Sequence, residues 1–107
     1  MFARILEFVP KVESKDQLIS VIKKEVVPIL KKQPGFLEIL PFVPEEAIDR
    51  MVVVSLWTEK SYAEHYMQET FPKVEKILKP YLTSPITWKL HRVETTLCEH
   101  FVEMLAA

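Results

Sequence analysis

Between Trp57 and Met67 the chain gathers most of the side chains with which it could do chemistry: Trp57, Tyr62, His65, Tyr66 and Met67. An imidazole with an ordinary pKa near ~6.5 can take up and return a proton around neutrality. Tyr62 lies three residues before His65 and Glu69 four after it, so on a helix the three form one stripe, with Tyr66 adjoining. A tyrosine hydroxyl beside an imidazole is a workable proton-transfer pair, which makes His65 and Tyr62 the catalytic candidates. Trp57, Tyr66 and Met67 are read as substrate-contacting positions. Each has a plainer counterpart. Large aromatics dominate cores by area, a histidine flanked by Glu64 and Glu69 describes a solvated helix face, and a stripe at helical spacing also describes packing.

Other chemistries find little support. The histidines His65, His91 and His100 form no i, i+4 pair, and the single Cys98 lies two residues from His100, so no metal site is expected. Gly35 is the only glycine, which removes any Gly-rich phosphate loop, and no serine sits in a nucleophile elbow. Arg4 and Glu38 interrupt otherwise apolar strands. If buried they must be paired, so an interface ion pair is expected, with His91 and Arg92 as further partners.

The elements that must position these residues follow from periodicity. Phe2 to Val9 alternates and reads as a first strand, ended by Pro10. Ser14, with Gln17 three residues on, opens a helix whose apolar positions are Leu18, Ile22, Val26 and Ile29. Pro28 predicts a kink or fraying in it, and Gln33-Pro34-Gly35 ends it. Phe36 to Val43 and Met51 to Trp57 form a hairpin, the second strand apolar at nearly every position and so buried on both faces. Thr58 caps the next helix, Pro72 starts a second helical segment that Pro80 closes, and Ile86 to about Val93 is the fourth strand. Leu97, Phe101, Met104 and Leu105 recur at helical spacing and predict a C-terminal helix.

The order β-α-β-β-α-β is the ferredoxin-like arrangement: an α+β fold with a four-stranded antiparallel sheet. Both helices on one face leave the other bare, and its apolar character predicts a homodimer, sheet against sheet, with residues 97–107 packing on the partner and 1–96 forming the domain. With 107 residues, 49% apolar and 27% charged, one globular domain is expected. A net charge of −1 gives no reason to expect nucleic acid, no apolar run is long enough for a membrane span, and no leader is visible. The lone cysteine fits a reducing cytoplasm.

The Pro-Gly turn entering a strand, the strand ending in Trp57, and the helix carrying His65 eight residues later together resemble the antibiotic-biosynthesis-monooxygenase (ABM) family of dimeric α/β barrels. The resemblance covers about Phe2 to Val93. It implies a pocket between sheet and helices, and oxidation of small aromatic or polyphenolic substrates by dioxygen with no metal or flavin. Trp57 and His65 match a tryptophan and a histidine common in such proteins. Two features depart from the pattern: the chain has no asparagine, and Met67 stands where haem-degrading members place a ligating histidine. The expectation is a cofactor-independent monooxygenase. The alternative is a non-catalytic dimeric barrel binding a small hydrophobic ligand.

Overall fold

Prolines set much of the punctuation of the helical layer. In a computed structural model, which describes residues 1–46 and 49–97, β1 (Phe2–Phe8) passes through a 3-10 turn at Val12–Ser14 into α1 (Lys15–Val21). A π-helical turn, Ile22–Val26, separates α1 from α2 (Val27–Lys31). The prediction of a kink or fraying near Pro28 thus resolves into a π turn. The proline lacks an N–H and its ring crowds the carbonyl four residues back, and a widened turn relieves both. The expected Ser14–Gln17 capping box is not formed: Ser14 makes no side-chain cap bond, because the 3-10 turn runs directly into α1. Gly35, at φ 77°, turns the chain into β2 (Phe36–Phe42), and its carbonyl accepts from the Thr58 N–H at 2.8 Å.

β3 (Met51–Trp57) leads to α3 (Lys60–Glu69), whose N-cap position is Glu59 rather than Thr58. α4 (Phe71–Leu78) follows with Pro72 in its first turn, and β4 (Thr87–Arg92) completes the set. The strands form one antiparallel sheet in the order β2-β3-β1-β4, the ferredoxin-like α+β topology predicted. Leu97 closes a short 3-10 turn at Thr95–Leu97, and the rest of the predicted C-terminal helix lies outside the described residues.

Strand alternation sorts the sheet into two faces. Leu6 and Phe8 of β1 and Met51, Val53 and Trp57 of β3 point to the helices. There they pack with Leu18, Ile22, Val26, Leu30, Ala63, Tyr66, Phe71, Val74 and Leu78 as one core. The opposite face carries Ile5, Leu40, Val52 and Val54, all half-buried, and Phe42, which is exposed. β3 is therefore fully buried on its helix side and partly covered on the other, which is why its sequence shows no polar alternation.

Candidate active site

Arg4 is the centre of the site. On β1 it stands in register with Ser55 of β3 and Leu90 of β4, and in step with Leu6 and Phe8 it faces the helices. The residue is 2% exposed, yet among the described residues its Nε and Nη2 have no hydrogen-bond partner. Its guanidinium carbon lies 4.1 Å from the centroid of the Phe71 ring, 5.2 Å from Tyr66 and 5.9 Å from Trp88. Aromatic faces thus surround the cation in place of a carboxylate.

Two spaces meet at this side chain. Inside, between sheet and helices, a cavity of about 30 Å³ is bounded by Arg4, Ser55, Tyr66, Phe71 and aliphatic side chains, room for one or two waters. Outside, a groove of about 580 Å³ runs between α3 and β4, lined by Arg4, Lys60, Glu64, Met67, Gln68, Trp88 and Leu90. Arg4 belongs to both, so it forms the partition between interior and groove. Trp57 supports the wall behind Tyr66: their ring centroids are 5.1 Å apart, Phe36 meets Trp57 edge-on at 5.5 Å, and Phe71 lies 6.2 Å from Tyr66. The Trp57 indole N–H donates to Ser55 Oγ at 3.0 Å, which orients that hydroxyl and leaves its own hydrogen for another acceptor.

Burial governs the protonation of the two polar groups. Desolvation pushes the Tyr66 phenol up to about 12, with the neighbouring Arg4 cation pulling it back only in part. Desolvation likewise lowers Arg4 to about 10, opposed by Tyr66. At neutral pH Tyr66 is therefore a neutral hydrogen-bond donor and Arg4 a cation. Neither is a base, and among the described residues no carboxylate or imidazole borders the inner cavity. Among the described residues Glu64 is the only carboxylate at the groove.

The structure divides the sequence-predicted residues. Tyr66 lines the cavity with Trp57 buried behind it, and Met67 lines the groove. His65 and Tyr62 border neither space: His65 is exposed, and Tyr62, 40% exposed, lies against Gly35. The stripe Tyr62–His65–Glu69 is the solvent-facing side of α3, while Ala63 and Tyr66 form its buried side. Their reading as the catalytic pair is not supported by this placement, because one helix face cannot serve both core and solvent. Ser55 and Trp88 carried no signal in the spacing, and Arg4 was read only as half of an ion pair. The signal available for Arg4 was its in-phase alternation with Leu6 and Phe8. Within the chain Arg4 and Glu38 do not pair with each other, since Glu38 is exposed on β2 and stands in register with Leu56, on the other face of the sheet.

A family model described as antibiotic biosynthesis monooxygenase matches residues 1–71, two-thirds of the 107 residues and all of the site except Val74, Leu78, Trp88 and Leu90. The chain belongs to the antibiotic biosynthesis monooxygenase family. Solved structures agree on the fold of this ABM protein. An antibiotic biosynthesis monooxygenase superposes with a TM-score of 0.68 at 19% identity, covering 87% of this chain and 98% of that one. The ActVA-Orf6 monooxygenase of Streptomyces coelicolor, solved with nanaomycin D, gives a TM-score of 0.72 at 14% identity over 87% of each chain. A mutant of SnoaB, a cofactor-independent oxygenase from Streptomyces nogalater, gives 0.68 at 16% identity, covering 92% and 97%. No curated protein matches this ABM chain in sequence. Among its described residues there is no cluster of three or more metal-ligating side chains, and no helix is long and apolar enough to cross a membrane.

Proposed function

We propose that this ABM protein is a cofactor-independent monooxygenase acting on a small aromatic or polyphenolic substrate. The observation that carries the reading is the aromatic cluster of Trp57, Tyr66 and Phe71 between sheet and helices, with three polar side chains, Arg4, Ser55 and Tyr66, converging on one small cavity. The inner cavity alone is too small for a ring system, so the substrate occupies the groove and reaches inward past Arg4. Met67 at the groove and Tyr66 at the inner cavity keep their roles as substrate-side residues, and Trp57, which borders neither space, supports Tyr66 from behind. His65 and Tyr62 are given none.

In such a reaction an ionised phenolic ring passes one electron to dioxygen, and the resulting radical pair recombines at a ring-activated carbon bearing hydrogen. Loss of water from the hydroperoxide then leaves a carbonyl. One oxygen atom stays with the product and the other leaves as water, so the substrate supplies all the electrons. The neutral Tyr66 hydroxyl donates to the developing oxyanion, and Glu64 at the groove wall receives the proton that leaves. Oxygen uptake with an anthrone or quinol, measured polarographically, tests the reading. Stoichiometric uptake with formation of the carbonyl product supports it, and absence of uptake across a panel of electron-rich phenols overturns it.

We also infer that the working form is a homodimer joined through the outer sheet face, with residues 97–107 clasping the partner. Support comes from the apolar surface of Ile5, Leu40, Val52, Val54 and Phe42, which no helix covers among the described residues. Sedimentation should give twice the 12.5 kDa chain mass. Deleting residues 97–107 should weaken the dimer, and a stable monomer at micromolar concentration would refute it.

A further inference from the structure

We infer that Arg4 is an anion receptor, and that the ligand of this groove is a flat aromatic molecule bearing an ionised oxygen, held with that oxygen on Arg4 and its ring against Trp88. The inference deepens the monooxygenase reading by naming the substrate class, and takes from it only the location of the site.

Three observations converge. The guanidinium is almost wholly removed from water with two donors unmet among the described residues, although buried polar groups in native proteins are nearly always partnered. The unmet donors are Nε and Nη2, whose N–H bonds point to the same side and form the fork that takes a planar oxyanion side-on. The neighbours of the guanidinium are ring faces, which hold a cation without consuming its N–H donors. Desolvating a cation without an anion is costly, so a site of this kind is complete only when an anion arrives.

The groove selects the rest of the ligand. Trp88 is 49% exposed and presents its ring beside the guanidinium, with Met67 and Leu90 as further apolar lining. A flat ring can cover Trp88 while its oxygen meets the fork. Lys60 at the groove adds positive potential, and Glu64, the single carboxylate there among the described residues, is exposed and opposes an anion less than it would if buried. Phenolates and aromatic carboxylates share the required chemistry.

The test uses the full chain and three probes of similar size: naphthoate, naphthol and the uncharged methoxynaphthalene, with binding followed by tryptophan fluorescence. Naphthoate should bind about 10- to 100-fold more tightly than methoxynaphthalene, the range expected for hydrogen bonds to a charged group. Bound naphthol should show the phenolate absorption band at a pH where free naphthol is neutral. That result assigns a phenolate as the physiological class, whereas a preference for naphthoate without it assigns a carboxylate. Arg4→Met should reduce naphthoate affinity to that of methoxynaphthalene while leaving methoxynaphthalene unchanged, and Arg4→Lys should restore part of the difference. Equal affinity for charged and neutral probes in the wild type, or an equal loss of both in Arg4→Met, would overturn the inference. A change in sedimentation of Arg4→Met would also overturn it, by pointing to a carboxylate of a second copy as the partner. The two readings fail separately: anion selectivity without oxygen uptake leaves the receptor and removes the oxygenase, and uptake without anion selectivity does the reverse.

Discussion

Two arginines on neighbouring strands lead opposite lives. Arg92 on β4 is two-thirds exposed and makes an ion pair with Glu94 at 3.1 Å. A hydrogen bond from the Thr96 hydroxyl, together with that contact, holds the Glu94 carboxyl below its usual range. Arg4 on β1 is buried and has no carboxylate partner among the described residues. Stability alone would arrange them the other way, since a solvated ion pair contributes little and a buried unpaired cation costs several kcal/mol. The aromatic faces of Phe71, Tyr66 and Trp88 offset part of that cost at up to ~2 kcal/mol each when desolvated. What remains is a site held in readiness at the expense of stability, a trade typical of functional positions.

The largest effect should come from breaking the wall behind Arg4. Trp57 is fully buried against Phe36 and Tyr66, so Trp57→Ala is expected to lower the unfolding free energy by about 3–5 kcal/mol in chemical denaturation. A loss below about 1 kcal/mol would show that the aromatic cluster does not organise the site.

Next in size is Tyr66→Phe, which removes only the hydroxyl. If Tyr66 donates to a developing oxyanion, turnover in the oxygen-uptake assay should fall about a hundredfold, with the fold intact by circular dichroism. His65→Ala in the same assay should leave turnover unchanged, because the side chain is exposed and borders neither cavity nor groove. The reverse pattern would return the proton chemistry to the solvent-facing stripe of α3.

Substituting the two arginines sharpens the contrast itself. Arg4→Met fills similar space without a charge and should raise the unfolding free energy by about 1 kcal/mol, the residue of desolvation cost after the aromatic contacts are lost. Arg92→Met should leave the denaturation midpoint where it is. A loss of about 3–5 kcal/mol in Arg4→Met would mean that a buried pair had been broken, contrary to the receptor reading.

The smallest expected effect is a pH dependence confined to alkaline solution. Arg4 is lowered on folding, so the unfolded chain holds that proton more tightly. Its destabilising contribution is complete at neutral pH and is relieved only as pH rises above about 10. Tyr66 is raised, so its contribution is fully present below 10 and lost as pH climbs through about 12. The two slopes oppose one another, and neither acts near neutrality. Ultraviolet difference titration should therefore find a tyrosine ionising with a midpoint near 12, moved still higher in Arg4→Met because the neighbouring cation is gone. A tyrosine set whose titration is unaltered by Arg4→Met would separate the two groups.

Much of this molecule was determined by its sequence. Alternation in Phe2–Phe8, the apolar run Met51–Trp57, the Pro-Gly turn and the 3.6-residue spacing of Leu18, Ile22 and Val26 fix the elements locally, and their order fixes the ferredoxin-like sheet. Trp57 and Tyr66 were legible as aromatic positions at the end of a strand and on the helix after it, but their packing against each other was not. What periodicity could not decide was which stripe of α3 faces inward, because Tyr62–His65–Glu69 and Ala63–Tyr66 both recur at helical intervals. Packing settled it: the sheet accepts Ala63 close against its surface and leaves His65 in solvent. Nor could the chain by itself reveal that Arg4 would lie unpaired. Its neighbours Tyr66, Phe71 and Trp88 are some 60 to 80 residues away in sequence and come together only when α3, α4 and β4 close around β1. The charge is written in the sequence, and its burial without a counter-charge among the described residues is a property of the tertiary structure, since only the assembled layers exclude the water that would otherwise solvate it.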